Sequence, residues 1–241
     1  MAIEVFNRYE YKYIINTETL KHIVSVINEH MVPDRFCKNS GLYTISNLYY
    51  DTPDNAIIRH SLSKPVYKEK LRLRSYGIPD KNSHVFLEIK KKYKGLVNKR
   101  RTDLYLDEAY ELLNNHIPPK PAPHINFQVL HEIEYFLERY ENLAPRVYIA
   151  YDRLAFFEED NPDLRISFDT NLRTRRYDLE LEAGDYGDAL IDEDLWVMEI
   201  KTSRAMPLWL SALINNLGVH RQSFSKYGTE FKKYIIQSVR R

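Results

Sequence analysis

Lys68-Glu-Lys-Leu-Arg-Leu-Arg-Ser-Tyr76 sets the reading of the whole chain. Side chains of an extended strand alternate between its two faces. Lys68, Lys70, Arg72 and Arg74 therefore share one face, and Glu69, Leu71, Leu73 and Ser75 the other. A row of four like charges repels itself, so it persists only where the face is well solvated or meets strong negative charge. The leucines mark the opposite face as packed against protein. For one strand alone, a solvated sheet face is sufficient.

The pattern recurs. Arg8-Tyr-Glu-Tyr-Lys-Tyr-Ile14 aligns Arg8, Glu10 and Lys12 opposite Tyr9, Tyr11 and Tyr13. Phe86-Leu-Glu-Ile-Lys-Lys-Lys92 aligns Glu88, Lys90 and Lys92. Val97-Asn-Lys-Arg-Arg-Thr-Asp103 aligns Lys99 with Arg101 rather than Arg100. Segment 147–157 aligns Tyr151 with Arg153, and segment 164–170 aligns Arg165, Ser167 and Asp169. Trp196-Val-Met-Glu-Ile-Lys-Thr202 aligns Glu199 and Lys201 opposite Trp196, Met198 and Ile200. So many strands with one charged and one apolar face point to a shared charged surface lined from several directions.

Composition narrows the choice. The 241 residues carry 35 basic and 34 acidic side chains, a net charge of +1, and 44% hydrophobic residues. A sizeable core is available, and the near-neutral balance argues against a nucleic-acid binder. The single cysteine, Cys37, excludes an internal disulfide and fits a reducing, cytoplasmic setting. No signal-peptide pattern or apolar run of membrane-spanning length is present. Charged strands lie on both sides of the proline-rich connector Ile117-Pro-Pro-Lys-Pro-Ala-Pro123, so 1–241 is read as a single domain.

Strands are expected at about 7–16, 42–51, 67–76, 84–93, 95–106, 146–157, 164–170, 172–180 and 195–202. Helices are expected at about 17–30, 107–115, 125–140 and 207–217 and from 226 onward, with a short helix or turn at 53–62. The expected class is α+β: an antiparallel β-barrel tunnel of about eight strands, closed, with a polar, basic interior and helices packed outside.

A tunnel lined by Lys and Arg needs counter-charge, because burying unpaired charge is costly. Its ligand should be polyanionic, and arginine favours phosphate through paired hydrogen bonds. Glu10, Glu88 and Glu199 would repel such a ligand unless they hold a metal, and Mn²⁺ or Mg²⁺ bridges carboxylate to phosphate. Each Glu-x-Lys pair (Glu10/Lys12, Glu88/Lys90, Glu199/Lys201) could instead be an ordinary cross-strand ion pair. Glu199 is the strongest metal candidate. No glycine-rich phosphate loop occurs, and with 7 glycines phosphates must be held by side chains.

These segments resemble the VTC domain, the polyphosphate polymerase domain of the CYTH-like triphosphate tunnel superfamily. The resemblance rests on the ordered set Arg8-Tyr-Glu-Tyr-Lys-Tyr13, Asn47-Leu-Tyr-Tyr-Asp-Thr52, Lys70-Leu-Arg-Leu-Arg74, Phe86-Leu-Glu-Ile-Lys90, Tyr151-Asp-Arg153, Arg165-Ile-Ser-Phe-Asp-Thr170, Val197-Met-Glu-Ile-Lys201 and Ser223-Phe-Ser-Lys-Tyr-Gly228. It implies that Lys12, Arg72, Arg74, Lys90, Lys99, Arg153, Arg165, Lys201 and Lys226 line the tunnel and hold phosphates. It implies Glu199 as metal ligand, Ser225 as a hydroxyl beside the ligand and Arg59 as a further tunnel residue. Lys70 and Arg101 join them by strand alternation. The implied reaction moves the γ-phosphate of ATP onto inorganic polyphosphate, in a tunnel open at both ends. Tunnel triphosphatases and non-catalytic polyphosphate or inositol pyrophosphate sensors are the alternatives. Family relatives are often linked to membrane segments, so a separate membrane partner is compatible with the resemblance. Nothing in the residues sets an oligomeric state.

Overall fold

The computed structural model describes residues 9–37, 41–161 and 163–239. Arg8, read above on the charged face of the first strand, lies outside them. The strands are β1 (Tyr9–Asn16), β2 (Val32–Pro33), β3 (Tyr43–Asp51), β4 (Tyr67–Tyr76), β5 (His84–Tyr93), β6 (Leu96–Tyr105), β7 (Ala144–Phe157), β8 (Arg165–Arg175), β9 (Asp188–Ala189) and β10 (Leu195–Thr202). The helices are α1 (Thr17–Ile27), α2 (Ala56–Leu62), α3 (Leu106–Asn115), α4 (Phe127–Arg139), α5 (Leu208–Asn216) and α6 (Lys226–Val239). Among the described residues all strands join one antiparallel sheet, whose main path runs β1-β10-β8-β7-β3-β4-β5-β6.

The sheet curves into a tunnel but does not close. Its edge strands β1 and β6 are not paired by backbone hydrogen bonds. Side chains bridge the seam instead: Lys90 Nζ on β5 donates to both carboxylate oxygens of Glu10 on β1, at 2.8 and 3.0 Å. The expected closed barrel is thus an open sheet held by an ion pair across its gap.

Register follows from alternation and turn chemistry. Between β5 and β6, Lys94 and Gly95 have φ of 45° and 91°. Tyr93 then pairs with Leu96 across a two-residue turn, whose geometry needs positive φ at both central positions. β8 joins the two strands expected at 164–170 and 172–180. Its break is local: Asn171 sits at φ 49° where the register with β7 slips.

The apolar faces are covered in two places. Leu71, Leu73, Leu87, Ile89 and Leu104 pack under α3 and α4. Tyr13, Ile15, Ile166, Phe168, Met198 and Ile200 pack under α1 and α5. Asn16 caps α1 and Asn126 caps α4. The remaining two helices differ from the expectation that all lie outside. Ile58 of α2 and Tyr227 and Phe231 of α6 pack with Ile45, Tyr49, Ile149, Tyr151 and Val197, which are inner-face residues. Asp51 fixes this arrangement. Its carboxylate accepts from the backbone N–H of Ile57 and Ile58 at 2.9 and 3.0 Å and from the Tyr227 hydroxyl at 2.9 Å. One buried side chain thus ties β3, α2 and α6 together.

Leu87 is fully buried between the sheet and α3/α4. Leu87→Ala is expected to destabilise the fold by about 2–5 kcal/mol, read as a lower urea midpoint with unchanged slope.

Candidate functional site

A cavity of about 610 Å³ opens on the inner face of the sheet. Strand alternation turns Lys68, Lys70, Arg72 and Arg74 of β4 toward it, with Lys90 and Lys92 of β5, Lys99 of β6, Arg153 of β7 and Arg165 of β8. Lys12 of β1 and Glu199 and Lys201 of β10 complete the wall, and the segment 221–226 leading into α6 lies over it. Among the described residues Lys and Arg far outnumber the three glutamates that line this space.

Beneath the cations sit carboxylates that neutralise some of them. Glu88 is fully buried and accepts from Arg72 Nε at 2.7 Å and Lys99 Nζ at 3.0 Å, with Arg74 Nε 3.8 Å away. Asp169, also fully buried, holds Arg153 through two bonds of 2.6 and 2.9 Å and pairs with Lys226. Glu199 lies 3.0 Å from Lys201 Nζ and 3.6 Å from Lys12 Nζ. Glu10 holds Lys90 across the seam.

Burial would raise all these carboxyls, but the cations win. Lys99, Arg72 and Arg74 keep Glu88 well below the carboxylate range. Arg153 and Lys226 bring Asp169 down to about 2. Lys201, Lys12 and Lys90 likewise hold Glu199 well below the carboxylate range. Lys70 is the contrasting case. Its Nζ donates to Ser225 Oγ at 3.1 Å and has no carboxylate partner among the described residues. Burial, then Lys12 and Lys90, push it down to about 7.

Two tyrosines complete the wall. Tyr49 accepts from Arg72 at 3.2 Å, and Tyr151 accepts from Arg74 at 3.0 Å. Each hydroxyl thereby spends an acceptor on an arginine and keeps its own proton to donate. Burial would raise Tyr151, but Arg74, Arg153 and Lys226 outweigh it and bring the phenol down to about 8.

Most of the residues expected at the site therefore converge. Lys12, Lys70, Arg72, Arg74, Lys90, Lys99, Arg153, Arg165, Lys201, Ser225 and Lys226 line one cavity, together with Glu10 and Glu199. Three expected residues are placed otherwise. Arg59 projects from α2 with its side chain 65% exposed and pairs with Asp54, because its helix packs through Ile57 and Ile58 instead. Arg101 lies on the inner face but stacks on Phe86, its guanidinium 4.7 Å from the ring centre, and does not line the cavity. Glu88 lies below the cavity wall as a counter-ion, engaged by cations on both oxygens, so it is not free to hold a metal. Asp169, Tyr49 and Tyr151 belong to the site and were not singled out from the sequence. Alternation placed Asp169 beside Ser167 and Tyr151 beside Arg153, yet only the fold brings the cations around them.

Beyond Arg74, Phe36, Tyr43 and Phe86 form an aromatic cluster around Tyr76, on which Phe36 stacks at 4.8 Å. None of these rings lines the cavity.

Among the described residues, no group of three or more His, Cys, Asp or Glu side chains is placed to hold a metal. The donors that fit are Glu199 and Glu10, two carboxylates facing one space; the third lining glutamate, Glu69, is engaged by Tyr67, Tyr140 and Arg139. Ser167, paired in register with Glu199, adds a buried hydroxyl with no hydrogen-bond partner. Such a pair suits a small hard cation that takes its remaining ligands from phosphate oxygens or water.

Comparison with known proteins agrees with this architecture. The VTC domain family model matches residues 7–235. No curated protein matches the sequence. Among solved structures, a candidate adenylate cyclase from Bacillus halodurans superposes with a TM-score of 0.57 at 12% identity, covering 92% of this chain and 96% of that one. One from Vibrio parahaemolyticus gives 0.52 at 13% identity, covering 92% and 97%. A candidate adenylyl cyclase from Hippeastrum, described as having a dominant triphosphatase activity, gives 0.52 at 12% identity and covers 93% of each chain. At these identities the likeness is one of fold. No helix among the described residues is long and apolar enough to cross a membrane.

The shared counter-ions have a measurable consequence. Removing Glu88 would leave Arg72, Arg74 and Lys99 short of charge, so Glu88→Ala is expected to cost about 3–5 kcal/mol at neutral pH. Because the folded-state pKa is depressed, this stabilisation is complete above the ordinary value of 4.5. The gap between wild type and variant should therefore narrow as pH falls below 4.5, in urea titrations run across that range.

Proposed function

The chain belongs to the VTC domain family, and from that premise we propose that it is a metal-dependent polyphosphate polymerase. In this reading it transfers the γ-phosphate of ATP to the end of an inorganic polyphosphate chain. The observation that carries the reading is the cavity wall. Its cations outnumber its carboxylates, and they come from several strands and the start of α6.

The chemistry asks little beyond placement and charge neutralisation. An oxygen of the terminal polyphosphate attacks the γ-phosphorus, and the bond to the β-bridging oxygen breaks as ADP leaves. The attacking phosphate is already anionic near neutral pH, so no dedicated base is needed, and no histidine lines the cavity. Arg72 and Arg74 present guanidinium groups braced by Glu88, Asn47 and the two tyrosines. Arg153 and Lys226 flank Tyr151, oriented by Asp169. These fixed charges offset the repulsion between two polyanions. Glu199 and Glu10 would hold Mn²⁺ or Mg²⁺, which supplies further charge stabilisation on the transferring group.

A tunnel triphosphatase is the second reading, favoured by the activity described for the Hippeastrum neighbour. Hydrolysis calls for a site that activates water, and among the described residues only Glu10 and Glu199 are placed to hold an activating metal, which favours transfer. A sensor reading needs no metal and leaves Glu199 without a task beyond pairing Lys12 and Lys201.

Incubating the protein with ATP and Mn²⁺ should yield ADP and long acid-labile phosphate chains. ADP with free phosphate alone would identify a triphosphatase. Glu199→Gln should lower turnover by on the order of a hundredfold or more, with polyphosphate binding retained because two lysines lose their counter-ion. Retained turnover would remove Glu199 from the mechanism.

Lys70 gives the pH dependence. With its pKa lowered to about 7, it is partly neutral in the free protein at slightly alkaline pH, and a bound polyanion raises it. Binding should therefore take up protons, and affinity should fall as pH rises above about 7. Calorimetry in buffers of different ionisation enthalpy reads the uptake directly, and Lys70→Arg should reduce it, leaving the share of Lys99, which burial likewise brings down to about 7.

A further inference from the structure

Not every cation of the cavity has a counter-ion. Lys68 and Lys92 line it and form a direct cross-strand pair in the β4–β5 register. Like charges facing one another across a ladder are unfavourable. Lys68 Nζ donates to the backbone oxygen of Ser61 at 3.1 Å, and among the described residues neither lysine has a carboxylate partner. Both are half-buried, so neither is a freely solvated surface charge. Across from Lys92 on β6 stands Val97, which brings no compensating charge. The pair sits at the β5–β6 turn end of the sheet, away from the aromatic rings that occupy the other end. Burial lowers the pKa of both; Lys68 lowers Lys92 further, and Glu10, which is bonded to Lys90 and not to Lys92, offsets this only in part.

We propose that Lys68 and Lys92 form a metal-free anion subsite at the mouth of the cavity, which takes the trailing phosphates of a linear polyphosphate and so selects long chains over short ones. This rests on the polyphosphate reading above and adds a direction to it. The reacting phosphates lie by the carboxylate-bearing wall of Glu10 and Glu199, and the rest of the chain leaves over the Lys68–Lys92 pair. Unlike Lys12 or Lys201, these two lysines release no carboxylate when phosphate arrives. Their contribution to binding is therefore undiminished by competition.

The test compares tripolyphosphate with long-chain inorganic polyphosphate by calorimetry, using wild type and the Lys68→Gln/Lys92→Gln double variant at one ionic strength. Long-chain affinity should fall on the order of thirtyfold, as expected for losing two charge-assisted contacts, with a shallower salt dependence. Tripolyphosphate affinity should change by no more than about twofold. Thermal melting of the free variant should be unchanged or higher, because a repulsion has been removed. Equal losses for both ligands, no loss for either, or a lower melting temperature would overturn the subsite. Wild type that binds long chains selectively through these lysines but makes none from ATP would overturn the polymerase and leave the subsite standing. Wild type that ignores long chains would overturn both.

Discussion

The organising constraint of this molecule is the shortage of negative charge inside its sheet. Buried cations must be compensated, and Glu10, Glu88, Asp169 and Glu199 are asked to serve many more lysines and arginines. Glu88 is shared by Arg72, Lys99 and, at longer range, Arg74. Asp169 is shared by Arg153 and Lys226, and Glu199 by Lys12 and Lys201. Sharing keeps the walls from repelling each other apart, yet it leaves positive charge over. A fold could remove that excess with a few more acids. The excess is tolerable because half-exposed lysines can hydrate or lose a proton, as the lowered pKa of Lys70 indicates.

The same four carboxylates divide into two kinds by depth. Glu88 and Asp169 are fully buried, and each is bonded on both oxygens by cations. They serve as permanent counter-ions that set the direction of guanidinium groups. Glu10 and Glu199 line the cavity itself and hold only lysines, whose flexible ammonium groups can move to a ligand without breaking a planar, two-point bond. A carboxylate freed in this way can exchange its lysine for a metal ion, whereas one gripped by Arg72 and Lys99 cannot.

Much of this was legible in the sequence because period-two alternation is a strong signal when it sorts charge from leucine. Lys68 to Arg74, Glu88 to Lys92 and Glu199 to Lys201 all face where alternation places them. What alternation cannot supply is depth along the strand or the neighbour across it. Glu88 and Glu199 look alike in sequence, each two residues before a lysine. Only the pairing of Glu88 with Arg72 and Arg101, against that of Glu199 with Lys12 and Ser167, separates a counter-ion from a candidate ligand. Arg59 was misplaced for a related reason: a short helix offers no alternation, and its apolar Ile57 and Ile58 took the inward positions. The inward packing of α6 was hidden because Tyr227 and Phe231 read as an ordinary apolar stripe, whichever face of the sheet they meet.

That inward packing bears on how the cavity can be used. A sheet of this size, curved without closing, leaves more interior than its polar lining fills. On one side α2 and α6 occupy the surplus, and Asp51 pins both to β3. On another side Phe36, Tyr43, Tyr76 and Phe86 do so. The charged stretch thus gives way to aromatic packing at that end. In the proposed reading a polyanion leaves past the β5–β6 turn, where among the described residues no acid is bonded to Lys68 or Lys92. Apolar packing on one side and the Lys68–Lys92 pair on the other therefore give the tunnel two different ends, with the carboxylate-braced cations between them.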